Sequence, residues 1–120
     1  MKKLIVALLV LGMAIPSFAG IKEKNVIGSW SYSVDTDQQT LTGKLNFEKK
    51  DGKLAGEINT SEGDAFALSN IEIRDNNVLY FEIQPEYEVF KITLTIDGKK
   101  YTGSVSTPNG DAEITGEKLE

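Results

Sequence analysis

Apolar and polar residues alternate with a period of two along nearly all of the chain after residue 20, and turn-forming pairs interrupt the alternation at short intervals. Asp51-Gly52, Asp97-Gly98 and Asn109-Gly110 are the strongest of these signals. A two-residue hairpin loop needs positive φ, which Asp, Asn and Gly tolerate better than other residues. Glu62-Gly63, Asp75-Asn76-Asn77 and Pro85-Glu86 are weaker turns, and Asp35 to Gln38 forms a polar loop. No sustained helical period appears after residue 20. The seven connections predict eight strands, over residues 26–34, 39–49, 53–61, 65–74, 78–84, 87–96, 99–108 and 111–118. The chain is therefore expected to be all-β.

In an antiparallel hairpin, paired residues have a constant index sum and their side chains share a face. Turns centred on the strong signals pair Leu94 with Tyr101, Ile92 with Gly103, Val105 with Ile114, Gly103 with Gly116 and Phe47 with Gly56. A loop at 35–38 pairs Tyr32 with Leu41 and Trp30 with Gly43, and a turn at 85–86 pairs Phe81 with Phe90. Loops at 62–64 and 75–77 pair Ile58 with Leu68 and Ile73 with Leu79. All these partners lie on one apolar face, whereas a one-residue slip would split them between faces. The other face is polar, as in Ser29-Ser31-Ser33 and Thr102-Ser104-Ser106. One strand breaks phase: Phe66 and Leu68 are even, Ile71 and Ile73 odd, so a β-bulge or bend is expected at Ser69-Asn70.

Eight one-sided hairpins in sequence favour an up-and-down antiparallel barrel, whose closure removes exposed edges. A two-sheet meander sandwich is the alternative. A transmembrane barrel would place its apolar face outside and its polar face inside, the reverse of this pattern. Four similar stretches, LTGKL, LAGEI, YTGSV and ITGEK, place Gly43, Gly56, Gly103 and Gly116 on the inward face. With Trp30, they read as structural positions: large side chains lie over cross-strand glycines, and the glycines let coiled strands bend.

Residues 1–19 read as a signal peptide, with Lys2 and Lys3, an apolar run and small residues before a cut after Ala19. The domain then spans 20–120 and is exported, either periplasmic or secreted, with no membrane span in the mature chain. Removing Lys2 and Lys3 leaves 11 basic against 18 acidic residues, a net charge of −7, which argues against nucleic acid as a partner. The chain has no Cys and no His, so disulfides, His-based triads, Cys nucleophiles and His or Cys metal sites are excluded. Asp35 and Asp37 share a loop, but the fuller oxygen-ligand spacing of a calcium loop is missing. No catalysis, cofactor or metal is expected, and the protein is expected to be a monomer.

Gly28-Ser29-Trp30 on the first strand, after a polar lead-in, is similar to the G-x-W that opens lipocalins and avidin-like barrels. With the eight-strand meander, the chain resembles the calycin group, and more closely the small lipocalin-like modules that many bacteria secrete. It lacks the Thr-Asp-Tyr motif and a late Arg over the Trp; Lys118, paired with Tyr101 in the expected register, is the only cation near the end of the chain able to substitute. The resemblance implies binding of a small apolar molecule inside the barrel.

Up-and-down order puts the 51–52, 75–77 and 97–98 turns at one end and the remaining loops at the other. Trp30, Phe47, Leu94 and Tyr101 are expected to plug the first end. At the second, Tyr32, Thr60, Phe66, Ile83, Glu88, Phe90 and Thr107 are expected to point inward near the rim and to form the ligand-binding site, with Glu88 at the mouth. The alternative function is a protein-interaction or inhibitor module with an exported partner, acting through the loops or through Val78, Tyr80, Tyr87 and Val89 on the 78–89 hairpin.

Overall fold

The computed structural model describes residues 21–119, so the expected signal peptide lies outside the described residues. One helical turn, α1 (Glu23–Val26), leads into β1 (Gly28–Asp35), β2 (Thr40–Lys50), β3 (Lys53–Thr60), β4 (Ala65–Ala67), β5 (Ser69–Arg74), β6 (Val78–Ile83), β7 (Phe90–Asp97), β8 (Lys100–Thr107) and β9 (Gly110–Leu119). All pairings are antiparallel, in the order β4-β3-β2-β1-β9-β8-β7-β6-β5. The meander therefore curls until β1 meets β9, with Trp30 opposite Lys118 and Val34 opposite Ile114. This single continuous ladder decides for a nearly closed barrel over a sandwich.

The two outermost strands, β4 and β5, are successive parts of the strand expected at 65–74. Its first half pairs with β3 and its second with β6, so the ring is bridged by the chain itself at Leu68, whose N–H donates to the Gly56 carbonyl at 3.0 Å. The phase break at Ser69-Asn70 is thus the point where one strand changes partner. The register shifts between Ser69 and Glu72, and Asn70 adopts φ 51.

Two connections have the expected register. Asp51 and Gly52 both take positive φ, 54 and 82, as a type I′ turn requires, and Phe47 faces Gly56. The 75–77 loop pairs Ile73 with Leu79. The other five are displaced by two in index sum. Leu94 faces Gly103 and Tyr101 faces Gly116; Gly103 faces Ile114 and Val105 faces Ala112. Trp30 faces Leu45 and Tyr32 faces Gly43; Phe81 faces Ile92, and Ile58 faces Phe66.

A shift of two leaves every side chain on its expected face, so alternation cannot detect it. Local turn chemistry decides it instead. Asp97 pairs with Lys100, which makes Gly98 (φ 66) the first central residue of its turn. Thr107 pairs with Gly110, so Pro108 occupies a corner, where its fixed φ fits and its missing N–H is not needed. The first loop is 36–39, held by the Thr36 hydroxyl, which accepts from the Gln39 N–H at 3.0 Å. Thr60 accepts the Asp64 N–H on its hydroxyl at 3.0 Å, which draws that loop back to 61–63. Pro85 sits in a six-residue loop, 84–89, so the sixth expected strand, observed as β7, begins at Phe90 rather than at residue 87.

One half of the interior is filled. Trp30, Leu45, Leu79, Phe81 and Leu94 are essentially inaccessible. Trp30 and Tyr101 meet edge-on at 5.9 Å between ring centroids, and Phe47 and Phe81 meet likewise at 5.7 Å. Val26 closes this end, a residue expected to open the first strand. The chain instead makes a helical turn, and the Val26 carbonyl accepts the Trp30 indole N–H at 2.8 Å. Lys118 reaches over Trp30, its Nζ 5.6 Å from the ring centroid, and donates to the Asn25 carbonyl at 3.4 Å. The late cation therefore serves the Trp and not Tyr101, its expected partner. Leu41, expected inside, is 41% exposed at the opposite rim.

The four inward glycines face Tyr32, Phe47, Leu94 and Tyr101, so only Gly56 has its expected partner. A Cβ at Gly43, Gly56, Gly103 or Gly116 would stand 1.9–2.3 Å from a backbone carbonyl oxygen of the adjacent strand. Neighbouring strands approach at these points more closely than any side-chain-bearing residue allows, which permits the tight coiling of a narrow barrel.

Candidate functional site

Toward the other end the inward residues become smaller. β1 runs from Trp30 through Tyr32 to Val34, β8 from Tyr101 through Val105 to Thr107, and β9 from Ile114 to Ala112. A cavity of about 470 Å³ remains there. Small-molecule pockets are commonly about 300–1,000 Å³. Ile58, Phe66, Ile83, Phe90, Ile92 and Ile114 form apolar walls, and Tyr32 contributes its ring. Thr60, Thr107 and Asn109 supply neutral polar groups, while Asp35, Asp37 and Asp111 stand among the residues of the mouth.

Six of the seven expected site residues come together here: Tyr32, Thr60, Phe66, Ile83, Phe90 and Thr107. Glu88 does not. It lies exposed in the 84–89 loop and is not among the cavity's lining residues, because the strand that would have turned it inward starts two residues later. Pro85 of the same loop lines the cavity in its place. The expected outward patch is also divided. Val78 opens β6 beside the 75–77 turn, whereas Tyr87 and Val89 lie in the mouth-end loop. Tyr80 is occupied locally, with the Arg74 guanidinium 4.0 Å from its ring centroid and its hydroxyl donating to Glu82 at 2.5 Å. That hydrogen bond holds the Glu82 carboxyl below its usual range and raises the Tyr80 phenol.

Among the polar residues that line the cavity, Tyr32 is the most buried. It is 6% exposed, and its hydroxyl makes no hydrogen bond to any described residue. Burial, and secondarily the charge of Glu62, pushes its ionisation above the ordinary 10.0, so the hydroxyl stays a donor. Tyr101, also buried, instead spends its hydroxyl on the Ser31 carbonyl at 2.8 Å.

The aspartates of the mouth were missed as site residues because each reads in sequence as a solvated turn charge. Their signal was the grouping of connections by end. The four mouth-end segments, 36–39, 61–64, 84–89 and 108–111, carry six carboxylates and no Lys or Arg. Lys49, Lys50, Lys53, Lys99 and Lys100 cluster instead around the turns of the plugged end.

No family model and no curated protein sequence matches the chain. Among solved structures it is similar to a redesigned β-barrel, with a TM-score of 0.63 and 15% identity over 82% of this chain and 95% of that one. A redesigned barrel bound to DFHBI matches with a TM-score of 0.59 and 14% identity, covering 81% of this chain and 97% of that one. A de novo designed fluorescence-activating barrel gives 0.58 and 13%, covering 81% and 96%. At such identities the likeness concerns the fold alone.

Proposed function

We propose that this is an exported, non-catalytic, lipocalin-like monomer that binds a small apolar ligand in the open half of its barrel, in the periplasm or outside the cell. The observation that carries this reading is the cavity of about 470 Å³, walled by apolar side chains and left open at one end while the other is plugged. The barrel of the same fold bound to DFHBI supports it, since a comparable scaffold accommodates a small molecule. The absence of His and Cys from the sequence supports a carrier over an enzyme.

The test is uptake of a neutral apolar fluorophore, N-phenyl-1-naphthylamine, by the mature chain. The expected result is a saturable rise in emission, abolished by Ala112→Phe, which fills the cavity. No saturable rise in the parent protein, or an equal rise in the variant, overturns the reading.

A second reading, an interaction module, rests on Tyr87, which is 94% exposed in the 84–89 loop. Tyrosine is enriched among the residues that anchor protein interfaces. Capture of an exported protein that is lost in Tyr87→Ser and retained in Ala112→Phe would favour it over the carrier.

A further inference from the structure

We infer that the ligand is an apolar molecule bearing a positive charge, held with its apolar body in the cavity and its cationic group among the aspartates of the mouth. The inference rests on the binding reading above and specifies its ligand class.

Three observations carry it. Asp35, Asp37 and Asp111 belong to the cavity's own lining, Asp35 ending β1, Asp37 in the loop that follows and Asp111 near the start of β9, and no Lys or Arg lines it. None of the three forms an ion pair with a described residue; Asp35 accepts only a hydrogen bond from the Thr40 hydroxyl, at 3.0 Å. The charge is also organised over the whole barrel: the open-end segments carry carboxylates and no Lys or Arg, whereas around the plug Lys49, Lys50, Lys53, Arg74, Lys99 and Lys100 outnumber Asp51, Asp75 and Asp97. A low-dielectric cleft edged by one sign of charge focuses its field on what enters. A carboxylate ligand would add a further negative charge beside these three aspartates and find no cation in the lining. An ammonium group would meet three acceptors, at a rim where water still solvates it and the desolvation penalty is small. Within the cavity, Tyr32 adds a buried hydroxyl without a hydrogen bond to any described residue, in a wall that is mostly apolar, a place for a body with little polarity of its own.

The experiment compares three probes with one apolar chain and different heads: decyltrimethylammonium, decanol and decanoate. Each displaces N-phenyl-1-naphthylamine from the mature protein at low and high salt. Binding in the order ammonium, alcohol, carboxylate is expected, with at least about tenfold between the first and last at low salt, equivalent to about 1.4 kcal/mol. The gap should narrow at high salt. Replacing all three aspartates (D35N, D37N, D111N) should remove most of the ammonium preference and leave decanol unchanged. Decanoate binding as tightly as decyltrimethylammonium, or a preference that survives the triple variant, overturns the charge assignment while the binding reading stands. Uptake of none of the probes, with the fluorophore also excluded, overturns both.

Discussion

Gly116→Ala tests the physical reason the barrel can close. The β1–β9 seam is the pairing that turns the meander into a ring, and Gly116 lies on it. A Cβ there would stand 1.9 Å from the Ser31 carbonyl oxygen and 2.6 Å from the Tyr101 hydroxyl oxygen. The hydroxyl sits at the end of a side chain that is itself buried and bonded to the same carbonyl. The Ser31 oxygen is backbone, so the strands must separate by more than about 1 Å to admit the methyl group. Without a clash, alanine would gain about 0.4–1 kcal/mol by restricting the unfolded chain. Overpacking costs about 1–3 kcal/mol, and a weakened Tyr101 hydrogen bond adds about 1 kcal/mol. The net expectation is a loss of about 2–3 kcal/mol, a large share of the ~5–15 kcal/mol typical of a domain. Urea unfolding followed by fluorescence of Trp30, the one tryptophan in the chain, reads this as a lower midpoint at unchanged slope. Thr115→Ala, on the outward face, should stay within about 0.5 kcal/mol of the parent. A loss below about 1 kcal/mol in Gly116→Ala, or any gain, refutes the close approach at this seam.

Other consequences follow from burial and backbone geometry. Phe81 is fully inaccessible in the filled half, so Phe81→Ala should cost about 3–5 kcal/mol in urea unfolding, whereas Phe66→Ala, on the cavity wall, should cost roughly half of that. Burial, and secondarily Tyr32, raises the Tyr101 phenol well above its ordinary 10.0, so the folded state holds a proton that the unfolded state releases. Stability should therefore be level below about pH 10 and fall above it, and the fall should be shallower in Tyr101→Phe, whose baseline is lower by about 1 kcal/mol. Asn70→Val should lower stability by about 1–2 kcal/mol because a β-branched residue resists the left-handed φ of 51 at the strand switch, while Asn70→Gly should cost less.

Which face each residue occupies was legible in the sequence because side chains in a strand alternate with a period of two. That is why Tyr32, Thr60, Phe66, Ile83, Phe90 and Thr107 converge on one cavity although most of their cross-strand partners differ from those expected. Alternation determines register only modulo two; the choice between registers two residues apart depended on whether Gly98, Pro108 or Thr36 takes a corner position, a question of local turn energetics. Glu88 was misplaced for the same reason, since Pro85 lengthens its loop and delays the next strand to Phe90. Val26 was misassigned to the first strand because its role depends on a tertiary partner, the Trp30 indole, which no local pattern announces. The aspartates of the mouth were visible as residues but acquired meaning only when the connections were sorted by end.

The most direct measurement of the central claim, that one half of the barrel is packed and the other receives an apolar guest, is a methyl-resolved NMR titration with decanol. The methyl groups of Ile58, Ile83, Val105 and Ile114 should shift saturably, while those of Val26, Leu45 and Leu79 stay fixed. Shifts confined to residues outside the cavity, or no saturable shift at any methyl, would contradict it.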